Sequence, residues 1–124
     1  VMELVNDKWT GPEVAPFTSN MPYDFTVGPG GKTVCFTSLR SPDKTTSMLL
    51  EQTKIWAVTL SDGEGTEPVM LGASINAEEH YENYPGVARD GWICCMSWRD
   101  NTVCKTDIHL SGNPDGTNFF HSRS

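Results

Sequence analysis

The stretch Tyr84-Pro85-Gly86-Val87-Ala88, then Arg89-Asp90-Gly91, then Trp92-Ile93-Cys94-Cys95-Met96-Ser97-Trp98 decides how the rest of the chain is read. The last segment, Trp92 to Trp98, is short and rich in aromatic and β-branched residues, as an extended strand requires. The Asp-Gly step between them suits a turn that needs positive φ, so the three segments predict an antiparallel hairpin. Neighbouring residues of a strand point to opposite faces, so Cys94 and Cys95 should not meet one ligand together.

Working outward, similar runs cover 24–27, 32–37, 54–60, 67–71 and 106–110, separated by Gly, Pro, Asp or Asn. Gly28-Pro29-Gly30-Gly31 predicts a second tight hairpin and Ser61-Asp62-Gly63-Glu64-Gly65 another turn. Helical periodicity is nearly absent; Ser47 to Thr53 would make one or two turns at most. The fold class expected is therefore all-β and antiparallel.

The runs also repeat. Trp9-Thr10-Gly11-Pro12 matches Gly65-Thr66-Glu67-Pro68 at an offset of 56, and Asn20 matches Asn76 at the same offset. Val27 and Gly31 match Val87 and Gly91 at 60, Ser38-Leu39-Arg40 matches Ser97-Trp98-Arg99 at 59, and Ile55 matches Ile108 at 53. The changes of offset fall in polar loops, where insertions leave strand pairing intact. Copies over about 9–60 and 65–111, with a partial copy over 113–124, make residues 1–124 one repeat region. A repeat of this length with four short strands has the arithmetic of a β-propeller blade. In the second copy 84–88 would be the inner strand, 92–98 the second and 106–110 the third. Residues 67–71 would be the outer strand of the preceding blade.

The string Glu67-Pro68-x-x-Leu71-Gly72-x-x-Ile75-Asn76, then Glu82-Asn83-Tyr84-Pro85, Asp90-Gly91, Ser97-x-Arg99 and Asp107-Ile108-His109-Leu110-Ser111, resembles the WD-type propeller repeat of the TolB class. That repeat also occurs in OmpA-like outer-membrane proteins and in peptidase propellers. The first copy departs from it, with Pro22-Tyr23-Asp24-Phe25 in place of Glu-x-x-Pro. The resemblance implies a binding or scaffold module in a periplasmic or extracellular setting. Four to eight blades close a propeller ring. About two blades therefore imply a longer polypeptide, self-association (three copies would give six blades), or a partner chain that completes the ring.

The 124 residues carry sixteen acidic and nine basic side chains, a net charge of −7. The bases are scattered, which argues against nucleic acid or an anionic membrane as partner. No apolar run is long enough for membrane insertion through a helix, and no charged start followed by an apolar run gives a secretory signal. Cys35, Cys94, Cys95 and Cys104 lack metal-site spacing, so neither a metal nor another cofactor is expected.

No catalytic motif is recognisable. Arg99 and Asp107 are expected to pair across a hairpin, with Asp90 and Gly91 shaping a turn, all four as scaffold. Trp56, Trp92 and Trp98 are expected to pack between blades, with Trp98 also able to face a groove. The densest polar cluster is Glu78-Glu79-His80-Tyr81-Glu82-Asn83. His80, Tyr81 and Glu82 there, with Tyr23 and Asp24 in the first copy and Trp98, are the expected contact surface for a protein or carbohydrate. The alternative is a hydrolase, glycosidase or peptidase-associated, whose acids Glu82 and Asp24 converge at a channel mouth.

Overall fold

The computed structural model describes residues 2–15, 22–41, 52–61, 64–89, 91–99, 107–112 and 121–122. They form strands, turns and irregular segments, with no α-helix among them. The all-β, antiparallel expectation holds.

The first large sheet starts with β3 (Tyr23–Val27) and β4 (Thr33–Ser38). Its hairpin closes as the Gly28 amide donates to the Thr33 carbonyl at 2.8 Å, with Gly31 at a φ of 67°. β5 (Lys54–Ser61) pairs with β4 over six register positions, from Thr33↔Thr59 to Ser38↔Lys54. β6 (Glu64–Gly65) and β7 (Val69–Met70) both pair back on β5. Val69–Met70, within the strand-like run 67–71, thus pairs at the outer side of β5.

The second sheet has the order β8 (Glu82–Val87), β9 (Ile93–Ser97), β10 (Asp107–Gly112) and β11 (His121–Ser122), reached by simple antiparallel steps. The Ala88 amide donates to the Trp92 carbonyl at 2.8 Å, and Gly91 has a φ of 88°, the conformation that favours glycine. The described part of the final segment, His121–Ser122, is therefore the fourth strand of the second sheet. A separate two-stranded hairpin, β1 (Leu4–Val5) and β2 (Lys8–Trp9), lies near the N-terminal end.

The first strands of the two sheets share one irregularity. In β3 the register shifts between Tyr23↔Thr37 and Thr26↔Cys35; in β8 it shifts between Asn83↔Met96 and Gly86↔Cys94. Two residues oppose one at each place, which is a β-bulge. Asp24 and Tyr84 head the bulges at φ of 52° and 51°, a left-handed conformation that non-glycine residues adopt at a cost.

β8 lies against β3 and β4, so the sheets are neighbours. Between them sits a core of Cys35, Ile55 and Ala57 from the first sheet, Leu71 and Ile75 from the connection, and Ile93 and Cys95 from the second. The opposite face of the first sheet holds Val34, Phe36, Trp56 and Val58 with Ala15. The strand segment Lys54–Val58 is buried at every position because it contributes to both layers; β9 alternates buried and half-buried residues. Each fully buried large apolar side chain contributes about 1.5–3 kcal/mol.

Candidate functional site

The connection from β7 to β8 is where most of the sequence-predicted residues fall. It is fastened to the first sheet by Asn76, which follows a turn closed by the Ile75 and Asn76 amides donating to the Gly72 carbonyl at 2.9 Å each. The Asn76 carboxamide accepts from the Ile55 amide and donates to the Ile55 carbonyl, both at 2.8 Å, and donates to the Leu71 carbonyl at 2.6 Å. One side chain thus imitates a strand neighbour for β5, satisfying backbone groups that burial would otherwise strand.

The next layer is ionic. Glu82 begins β8 with its side chain fully enclosed. Its carboxylate lies 3.3 Å from Lys54 Nζ and 3.7 Å from Arg99 Nε, and accepts from the Ser97 hydroxyl at 3.0 Å and the Ala77 amide at 3.3 Å. Lys54 also donates to the carbonyls of Ala77 and His80. Arg99 donates to Ser97 Oγ at 2.9 Å and to the carbonyls of Ser74 and Ile75. Burial pushes the Glu82 carboxyl above its ordinary range, and Lys54, Ser97, Ala77 and Arg99 oppose that shift.

This corrects the expected place of Glu82 on a contact surface. The cross-strand register Glu82↔Ser97 turns both side chains inward, so the carboxylate is held as a fastener between sheets. Among the described side chains Arg99 meets the Glu82 carboxylate. The expected pairing with the Asp107 side chain, like Asp90, lies outside the described residues; so do most of the helix candidate at 47–53 and Cys104.

Because strand neighbours alternate faces, Tyr81 and Trp98, flanking that inward pair, emerge on the other side. Their ring centroids are 4.7 Å apart with an interplanar angle of 34°, and Trp98 is 40% exposed. Two residues chosen separately from the sequence are brought together as one aromatic patch. His80 is half-buried just before it. Trp56, by contrast, is core, with the Arg40 guanidinium 5.2 Å from its ring.

Tyr23 and Asp24 lie at the other junction between the sheets. The Tyr23 hydroxyl donates to Asn83 Oδ1 at 3.4 Å, which also accepts from Thr53 Oγ1 at 3.0 Å. Burial raises both the Tyr23 phenol and the Asp24 carboxyl, the latter opposed by a hydrogen bond from the Tyr84 backbone amide. Tyr84 itself is 62% exposed. Lys54, Thr53 and Asn83 were not singled out in the sequence. For Asn76 the sequence offered one signal, its match to Asn20 at an offset of 56.

The cysteines point away from chemistry. Burial pushes the Cys35 and Cys95 thiols up to about 12, where thiolate is scarce. Cys94 faces the opposite way, its Sγ donating to the Gly86 carbonyl at 3.5 Å. Among the described residues no group of three or more His, Cys, Asp or Glu side chains is placed to hold a metal ion.

In comparison with known proteins, the chain matches no family model, no curated protein and no solved structure.

Proposed function

We propose that the chain is a non-catalytic binding or scaffold module built from propeller-type blades of the TolB class, presenting an aromatic patch to a carbohydrate or protein ligand. The observation that carries this reading is the correspondence of the two sheets. Both begin with a strand bulged at the same position, both turn through a positive-φ glycine, and the back of one packs on the front of the next. Repeat sheets stacked in this way add neighbours through one kind of interface, and ring closure with further blades follows from adding enough of them.

The binding surface in this reading is Tyr81 with Trp98. Paired, partly exposed rings offer a rigid apolar face bordered by polar groups, which suits the flat side of a sugar or an aromatic side chain. The hydrolase alternative draws no support from Glu82, whose carboxylate is enclosed between Lys54 and Arg99.

Tryptophan fluorescence titrated with neutral hexasaccharides tests the reading. Saturable quenching that disappears in Trp98→Ala, with the circular dichroism unchanged, is expected. Quenching that persists in Trp98→Ala removes the assigned surface, and turnover of the saccharide removes the non-catalytic reading.

A further inference from the structure

The hairpin at residues 3–10 duplicates residues 59–66 bond for bond. At the offset of 56, the register Leu4↔Trp9 and Val5↔Lys8 becomes Leu60↔Gly65 and Ser61↔Glu64, both of which are observed. The Thr10 amide donates to the Glu3 carbonyl at 2.8 Å; the Thr66 amide donates to the Thr59 carbonyl at 2.9 Å. The Glu3 amide donates to Thr10 Oγ1 at 2.9 Å; the Thr59 amide donates to Thr66 Oγ1 at 3.1 Å. The chain then runs on alike. Ala15 enters the core on the first sheet beside Phe36 and Trp56, as Leu71 enters the core between the sheets beside Ile93 and Cys95.

One difference remains. Residues 59–61 end a strand whose other edge is covered by β4: the Leu60 amide donates to the Lys32 carbonyl at 2.6 Å, and Thr59 lies opposite Thr33. Among the described residues β1 pairs with β2 alone. Residues in an antiparallel pair alternate between hydrogen-bonded and non-hydrogen-bonded positions. Glu3 occupies a bonded position, so the Leu4 amide and carbonyl point away from β2, as those of Leu60 point toward β4. Leu4 and Val5 are also exposed.

We infer that residues 2–15 are the outer half of a third sheet of this repeat, and that the open edge of β1 receives an inner β-hairpin of the same repeat type, patterned like Tyr23–Ser38. The occupant is specified by the duplicate. It is an antiparallel hairpin whose second strand is apolar on both faces, as Val34, Cys35 and Phe36 are, aligned so that a carbonyl at the position of Lys32 accepts from Leu4. Pairing of this kind draws its affinity from main-chain hydrogen bonds and its register from alternate side chains. The inference rests on the repeat reading proposed above, but it concerns backbone pairing and not the aromatic patch.

The test joins a second copy of residues 22–58 directly ahead of Glu3, leaving the rest of the chain intact, and follows amide hydrogen exchange. The Leu4 amide is expected to exchange about fivefold more slowly than in the parent chain, as a backbone hydrogen bond of ordinary net strength requires. Leu4→Pro should abolish protection of the added segment while leaving the parent chain's melting temperature unchanged, because that N–H faces away from β2. Equal exchange at Leu4 in both chains overturns the inference, as does equal destabilisation of both by the proline. If the extended chain aggregates, a synthetic peptide of residues 22–41 added to the parent reads the same amide: slowed exchange supports the inference, and unchanged exchange at millimolar peptide overturns it. Saccharide binding can fail while Leu4 is protected, so the two readings fall separately.

Discussion

The Asp24 carboxylate accepts a hydrogen bond from the backbone amide of Tyr84, and these two residues occupy the same bulge position in adjacent sheets, at φ of 52° and 51°. The contact makes one bulge support the other. It also makes the two positions unequal, because only Asp24 uses its side chain to hold the neighbour.

Tyr84→Gly should therefore raise stability by about 0.5–1 kcal/mol, since relief of left-handed strain exceeds the entropy that glycine adds to the unfolded chain. Asp24→Gly should show no such gain, because it removes the bond to the Tyr84 amide. Urea denaturation of both variants decides this, and equal gains would remove the asymmetry.

Glu82 carries a pH signature. Its folded carboxyl holds its proton to higher pH than the ordinary value of 4.5. The native state thus binds more protons than the unfolded state in the window above 4.5, and stability from this group falls as pH rises. Its contribution is full below that ordinary value and is lost as pH rises through the folded pKa. The stability of the wild type relative to Glu82→Gln should decline across that window and then level off. Denaturant midpoints measured from pH 4 upward, in about half-unit steps, would show it; a difference that grew with pH would contradict the assigned cause.

Asn76→Ala should cost about 2–4 kcal/mol, because it leaves the Ile55 amide and two carbonyls without their partner in a buried place. Asn76→Asp should cost at least as much, by setting a carboxylate against the carbonyls of Ile55 and Leu71. A loss under about 0.5 kcal/mol for the alanine variant, the scale of ordinary surface substitutions, would mean that water replaces the carboxamide.

Gly86 and Cys94 form a tight pair across β8 and β9. A Cβ added at Gly86 would meet Cys94 Sγ at 2.8 Å, closer than packed atoms tolerate. Gly86→Ala should destabilise by about 1–3 kcal/mol, the usual range for overpacking, and Cys94→Ala should restore part of the loss. A double-mutant cycle with no coupling would place the strain elsewhere.

Much of the fold is legible in the residues. The hairpin turns at 28–31 and 89–91 and the strands around Val34, Trp56 and Cys95 follow from turn chemistry and strand composition, and Val69–Met70, within the expected run 67–71, pairs back on the first sheet. The site is less so. Glu82 reads as a loop acid because its neighbours Glu78 and Glu79 are polar, and nothing local shows that Lys54, 28 positions away, will enclose it. Arg99 likewise reaches groups distant in sequence, the Glu82 carboxylate and the carbonyls of Ser74 and Ile75. Tyr81 and Trp98 are each visible as aromatic, but their meeting depends on the register that Glu82 and Ser97 set.

The connection between the sheets is gripped by Asn76, Lys54 and Arg99 at the backbone of residues 71, 74, 75, 77 and 80. A link clamped at so many points cannot act as a hinge. The packing of the second sheet against the first is thereby held by polar side chains reaching peptide groups, and not by apolar contact alone.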